Sequence, residues 1–205
     1  MIPLFLALLA AAPETIRLPP PAGGAAPLAQ ALQARRSERE FSPKSLSLEA
    51  LSGLLWSAYG VNRPASGGRT APSAHNWQTI DVFAVLEQGI YLYEPAAHRL
   101  KLVAEGDHRA LAGGQDFVRN APVTLVLVAR MDKTKKSAAD SDEDVLSWVS
   151  IEAGAISQNA ALYCAAQGLN SVLHVGVNRP AFAKAARLAA GAKIILAHSA
   201  GHPPR

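Results

Sequence analysis

Cysteine is almost missing from this chain: Cys164 is the only one in 205 residues. That excludes an internal disulfide framework and any cysteine-rich metal site. The apolar helical stretch around Cys164 marks it as a small core residue. Charge is sparse as well, at 18% of residues, and no run of Lys or Arg exceeds two. The formal charge of +4 and the pI near 9.4 therefore describe a mildly basic solvated surface, and no nucleic-acid partner is expected. Also missing are G-x-G-x-x-G, G-x-x-x-x-G-K-[ST], G-x-S-x-G and H-E-x-x-H. Without them a Rossmann dinucleotide domain, a phosphate-binding loop, a hydrolase elbow and a zincin site are not expected. The six histidines show no metal-ligand spacing on one helix, so no metal is expected either.

The N-terminal apolar run, Met1 to Ala12 (MIPLFLALLAAA), is too short to cross a bilayer. It fits the hydrophobic region of a secretory signal, with Ala10-Ala11-Ala12 as the small-residue cleavage site. Residues 1–12 are accordingly expected to be a signal peptide, and the protein to be exported to the periplasm or beyond. No Lys or Arg precedes the run and Pro13 would follow the cut, so the alternative is a packed N-terminal segment of a cytoplasmic protein. No cysteine lies near the cut, so no lipid-type membrane anchor is expected. Residues 13–27, with the Pro/Gly/Ala stretch LPPPAGGAAP at 18–27, read as a linker. Residues 28–205 then form one domain. With 49% of all residues hydrophobic, the chain can build an ordinary core.

Within the domain, Leu28, Ala31 and Leu32 form a stripe on a helix over 28–36. A second helix follows Ser47, a good N-cap, and carries Leu48, Leu51, Leu55 and Ala58 on one face up to Gly60. Residues 61–78 are loop. Strands follow at 81–86, 90–93 and 100–103, an antiparallel meander. The continuous apolar run PVTLVLVA at 122–129 reads as a buried central strand. Residues 131–144 lack an apolar period and read as a flexible loop. A long helix spans 145–167, rich in small residues that permit close approach, and ends at Gly168. A strand at 171–175, a helix at 180–190 opened by proline, and a strand at 193–197 complete the chain. Strands and helices interleaved in this order predict an α+β sandwich: a mostly antiparallel sheet of four or five strands with helices on both sides.

Three segments carry candidate chemistry. Arg35-Arg36-Ser37-Glu38-Arg39-Glu40-Phe41 gathers three guanidiniums and a hydroxyl within five residues, and guanidiniums match phosphate oxygens with paired hydrogen bonds. Taken alone, it is equally explained by cations favouring a helix C-terminus. Arg69 to Gln78 (RTAPSAHNWQ) offers amides and hydroxyls that can read the donor–acceptor edge of a ring, or simply hold their own turn. Leu173-His174-Val175-Gly176-Val177-Asn178 ends a strand on a glycine that tolerates close backbone approach.

In their order and spacing, R-R-S-x-R-x-F, P-S-A-x-N-x-Q, Gln158-Asn159 in mid-helix, Gly168-Leu169 and the late Gly201-His202-Pro203 resemble the nitroreductase family over about residues 28–204. The runs L-S-x-L-L-W-x-A-x-G-x-N-R and R-T-A-P-S-A are most similar to the branch with the thiazole- and oxazole-forming dehydrogenases. The resemblance implies a three-layer sandwich, FMN as cofactor, and a homodimer with flavin sites shared between subunits. It implies that Arg35, Arg36, Ser37 and Arg39 hold the phosphate, ribityl chain and ring edge. Pro72, Ser73, Ala74 and Asn76 would come from the partner, and Leu173, Val175 and Gly176 would supply backbone contacts. Arg205 is the only late cation available for the phosphate. The implied reaction is ping-pong through flavin N5, from a donor such as NAD(P)H to a small aromatic or quinone-like acceptor. An exported protein would need a different donor. Azoline oxidation on a peptide and non-enzymatic flavin binding are the alternatives. No acid or base is named by the pattern, and Tyr59, His75 and Trp77 are candidates to line the acceptor pocket.

Overall fold

The computed structural model describes residues 11–21 and 26–204. Most of the expected signal peptide, and Arg205, lie outside those residues.

The strands are β1 (Thr15–Arg17), β2 (Val61–Arg63), β3 (Gly68–Arg69), β4 (Ile80–Leu86), β5 (Gly89–Glu94), β6 (Arg99–Glu105), β7 (Val123–Ala129), β8 (Asn170–His174) and β9 (Lys193–Gly201). The helices are α1 (Leu28–Ala34), α2 (Leu48–Tyr59), α3 (Arg109–Ala112), α4 (Asp116–Asn120), α5 (Asp142–Ala166) and α6 (Arg179–Ala185). Seven strands form one sheet in the order β1-β6-β5-β4-β7-β9-β8, and every neighbouring pair is antiparallel. The sandwich is the expected one, with a wider sheet than four or five strands. β2 and β3 pair separately inside the expected loop at 61–78.

Strand β7 is buried at all seven positions, as its unbroken apolar run requires of a central strand. β4 beside it divides its side chains between two cores. Ile80, Val82, Ala84 and Leu86 face α2 and α5, while Phe83 and Val85 face α3, α4 and α6. Helices therefore cover both faces.

Ser47 caps α2, accepting from Ala50 N–H at 3.2 Å. Gly53 lets α2 approach α5: a Cβ there would stand 2.4 Å from Tyr163 Oη. The expected stop at Gly60 is present in extended rather than left-handed backbone (φ −70°), with the Trp56 side chain filling the space a Cβ would need.

α5 begins three residues earlier than its apolar period indicates. Ser141 and Asp144 exchange hydrogen bonds at 3.0 Å in a capping box, which recruits Asp142, Glu143 and Asp144 from the polar segment into the first turn. Its last turn closes at Ala166, and Gly168, just past the C-cap Gln167, is held at φ +66°. α6 is shorter than the 180–190 expected, and Arg187 turns away at φ +50°.

The expected linker at 13–27 also departs from its reading. Ile16 pairs with Leu100, Leu18 is buried, and the Pro19 carbonyl accepts from Ser52 Oγ. A strand of three residues is too short to carry a recognisable period. α3 and α4, of four and five residues, escape notice for the same reason. Cys164 is fully buried, as expected, and burial pushes its thiol up to about 12. No helix among the described residues is long and apolar enough to cross a membrane.

Candidate active site

The first segment leaves α1 and runs beside the edge strand β8. Glu38 N–H donates to the Ser171 carbonyl at 2.9 Å, Asn170 Nδ2 donates to the Glu40 carbonyl at 2.8 Å, and Ser42 N–H donates to the His202 carbonyl at 2.9 Å. These ties hold Arg35, Arg36 and Ser37 at the mouth of a groove. Its other walls are Gly154, Ser157 and Gln158 of α5, Leu173 of β8 and His198 of β9. Arg36 is paired with Glu38 at the surface, which adds little stability. Arg35 is half-buried, and neither it nor Arg39 has an ion-pair partner among the described residues. Arg39 is exposed and lies outside the groove lining.

Two observations mark the groove as a place for a ligand. A Cβ at Gly154 would meet nothing within 4 Å, so the helix presents open floor there. His198 is buried beneath, with Nδ1 bonded to Ser157 Oγ at 2.8 Å and Nε2 without a partner among the described residues. Burial and the neighbouring His174 push its imidazole down to about 3, so it is neutral at physiological pH.

The third segment continues from the groove. Leu173 and Val175 are exposed, and the Gly176 carbonyl accepts from Gly114 N–H at 3.0 Å. A Cβ on Gly176 would come no closer than 3.9 Å to that nitrogen, which leaves its outer side open.

The second segment lies elsewhere on the same chain. Pro72, Ser73, Ala74 and Asn76 are not among the residues lining the groove. Their loop is tied to the first half of α5 through Glu152, a buried acid that sequence reading missed. Glu152 accepts from Tyr59 Oη, from Ser73 Oγ at 2.8 Å and from Thr79 Oγ1 at 3.0 Å. Ser73 Oγ in turn accepts from Gln78 N–H at 2.8 Å. The anchored loop holds His75, Asn76 and Gln78 at φ near +50°, a conformation that asparagine tolerates better than most residues. Trp77, His75 and Trp148 pack together beside it, with ring centroids 4.8–5.7 Å apart.

Tyr59 cannot line an acceptor pocket. It is 2% exposed, bonded to Glu152, and stacked under Arg69 at 5.2 Å. Burial and the Glu152 charge raise its phenol well above the usual range. A signal for Glu152 was present: it occupies an apolar-face position of α5 between Val149 and Ile156, where an acid needs partners.

Residues 32–202 match the model of the Nitroreductase family. The chain belongs to the Nitroreductase family. This nitroreductase-family protein is 31% identical over 148 residues to a candidate nitroreductase of Methanocaldococcus jannaschii, covering 67% of this chain and 73% of that one. A crystal structure of a candidate nitroreductase of Ralstonia eutropha superposes with a TM-score of 0.87 at 38% identity, over 94% of this chain and 91% of that one. A candidate nitroreductase of Desulfovibrio desulfuricans, crystallised with FMN, shares the fold at 22% identity and a TM-score of 0.62, over 89% of each chain. Family membership makes the chain a flavin-dependent oxidoreductase.

Proposed function

We propose that the chain is an FMN-dependent oxidoreductase, with the groove at Arg35, Ser37 and His198 as the cofactor site. The observation that carries this reading is one groove that combines an Arg35 guanidinium and a buried His198 Nε2, both without partners among the described residues, with open floor over Gly154. A guanidinium and a hydroxyl suit a phosphate, and the open floor suits a planar group. The Desulfovibrio relative was crystallised with the same cofactor. Bound FMN would supply two-electron transfer between a donor such as NAD(P)H and a small aromatic or quinone-like acceptor.

The chain's own work is positioning. Arg35, Arg36 and Ser37 would bind the anionic end, with Arg39 in reserve at the surface. Leu173, Val175 and Gly176 would present backbone to the ring. The Ser73–Asn76 loop, fixed by Glu152, would cover the flavin of a second copy and exclude water. Leu28, Leu32 and Ile151 offer the surface for that second copy, being 65%, 53% and 64% exposed on α1 and α5.

Purified protein is expected to carry a yellow chromophore that is released as FMN, and to reduce a dye acceptor at the expense of NADH or NADPH. Protein that neither retains nor rebinds FMN would overturn the reading. Binding without turnover on any donor would favour a flavin-binding role instead.

A further inference from the structure

We propose that His198 is a cofactor-binding residue whose Nε2–H donates to an oxygen of bound FMN, with Ser157 orienting the ring. The inference rests on the FMN reading above. Side chains of β9 alternate across the sheet, and His198 shares the α5 side with Leu196 and Ala200. An imidazole among such neighbours needs a reason, because each of its nitrogens must find a partner or lose hydrogen-bonding free energy. Nδ1 has Ser157 Oγ at 2.8 Å; Nε2 has nothing among the described residues. Both Ser157 and His198 line the groove that Arg35, Arg36 and Ser37 enter.

The charge of the groove fixes the tautomer. Guanidiniums at the mouth select a ligand rich in acceptor oxygens. A ring nitrogen that meets such a ligand must donate, so Nε2 carries the proton and Nδ1 accepts from the Ser157 hydroxyl. A neutral ring then adds a donor without adding another positive charge beside Arg35. Leu173 pairs with His198 across the sheet and is 45% exposed, whereas His198 Nε2 is buried, so the proposed contact requires the groove lining at Leu173 to shift.

His174 provides the contrast. Its Nδ1 is also unpartnered among the described residues, but its Nε2 is bonded to Ser199 Oγ at 3.0 Å on the opposite side of the sheet, and it does not line the groove.

The test compares two amides. His198→Gln puts an N–H near the Nε2 position, whereas His198→Asn can keep an acceptor for Ser157 near Nδ1 but leaves the Nε2 position empty. FMN and riboflavin are titrated into the flavin-free full chain by fluorescence quenching. The expected result is FMN affinity about 10-fold or more weaker in His198→Asn, within threefold of wild type in His198→Gln, and unchanged in His174→Asn. Loss for FMN alone assigns the acceptor to the phosphate; equal loss for riboflavin assigns it to the ring or ribityl chain. A merely structural histidine would lower the melting temperature of both His198 variants and leave their flavin affinities alike. Equal affinities in the two variants overturn the proposal while the FMN reading stands. A wild-type chain that binds neither flavin overturns the FMN reading itself.

Discussion

Glu152 is the only buried carboxylate among the described residues, and three hydroxyls from three segments converge on it. Removing it leaves those hydroxyls without their acceptor. Each unsatisfied buried group costs about 1–3 kcal/mol. Glu152→Ala is therefore expected to lose roughly 3 kcal/mol or more of stability, and Glu152→Gln distinctly less, because hydroxyls can rotate to suit an amide. Urea unfolding checks this; equal losses would mean that the acceptor role is not what matters. The two buried histidines make a second expectation. Burial lowers His174 to about 4 and His198 to about 3, below their value near 6.5 in the unfolded chain. The unfolded state thus binds protons that the folded state refuses as pH falls below about 6.5. Stability should be flat above that pH and fall below it, by roughly 2 kcal/mol per histidine at pH 5. A urea midpoint that stays constant from pH 7.5 to pH 5 would refute the assignment, and His174→Asn should reduce the slope.

Elements differ in how plainly the sequence announces them. β7 was legible because seven buried residues leave an unbroken apolar run, and α2 because its stripe and its Ser47 cap agree. The start of α5 was not, because its first turn is all acidic and reads as solvated chain until the Ser141–Asp144 box is recognised. Ser141→Ala is expected to destabilise the protein by about 0.5–2 kcal/mol and to unravel the first turn, seen as faster amide exchange confined to residues 141–145. Unchanged exchange there would mean that packing of Val145 and Val149 holds the end without its cap. β1, α3 and α4 were illegible on length alone: a period needs more residues than they have. The lining of the groove was legible where motif order mattered, at Arg35, Arg36, Ser37 and Leu173, while Val175 and Gly176 lie beyond it. It was illegible where only folding brings residues together. Nothing in the local pattern links His198 on the last strand to Ser157, 41 positions earlier.

At the scale of the whole molecule, the N-terminus and the assembly each carry an expectation. β1 begins at Thr15, and so export with cleavage after Ala12 would leave its pairing with β6 intact. N-terminal sequencing of protein from the native host should then read Pro13 first; an intact Met1 on the mature protein would exclude a cleaved signal. Assembly is tested through the separation of the two motifs. Arg35 lines the groove, whereas Asn76 lies in the loop tied to Glu152 and is not among the described residues that line it. If two copies pack through α1 and α5, each flavin site takes Arg35 from one and Asn76 from the other. Arg35→Ala removes a charge-assisted contact and should weaken FMN binding about 10- to 150-fold. Asn76→Ala should weaken it too, by loss of an amide in a residue that also tolerates the left-handed backbone. A mixed dimer of the two variants then contains one site with both losses and one with neither. Mixing should restore near wild-type FMN affinity to up to half of the sites in each mixed dimer. If each site belongs to one chain, every site keeps one loss and mixing restores nothing. Sedimentation at micromolar concentration provides the independent check, since a monomer holding FMN stoichiometrically is incompatible with shared sites.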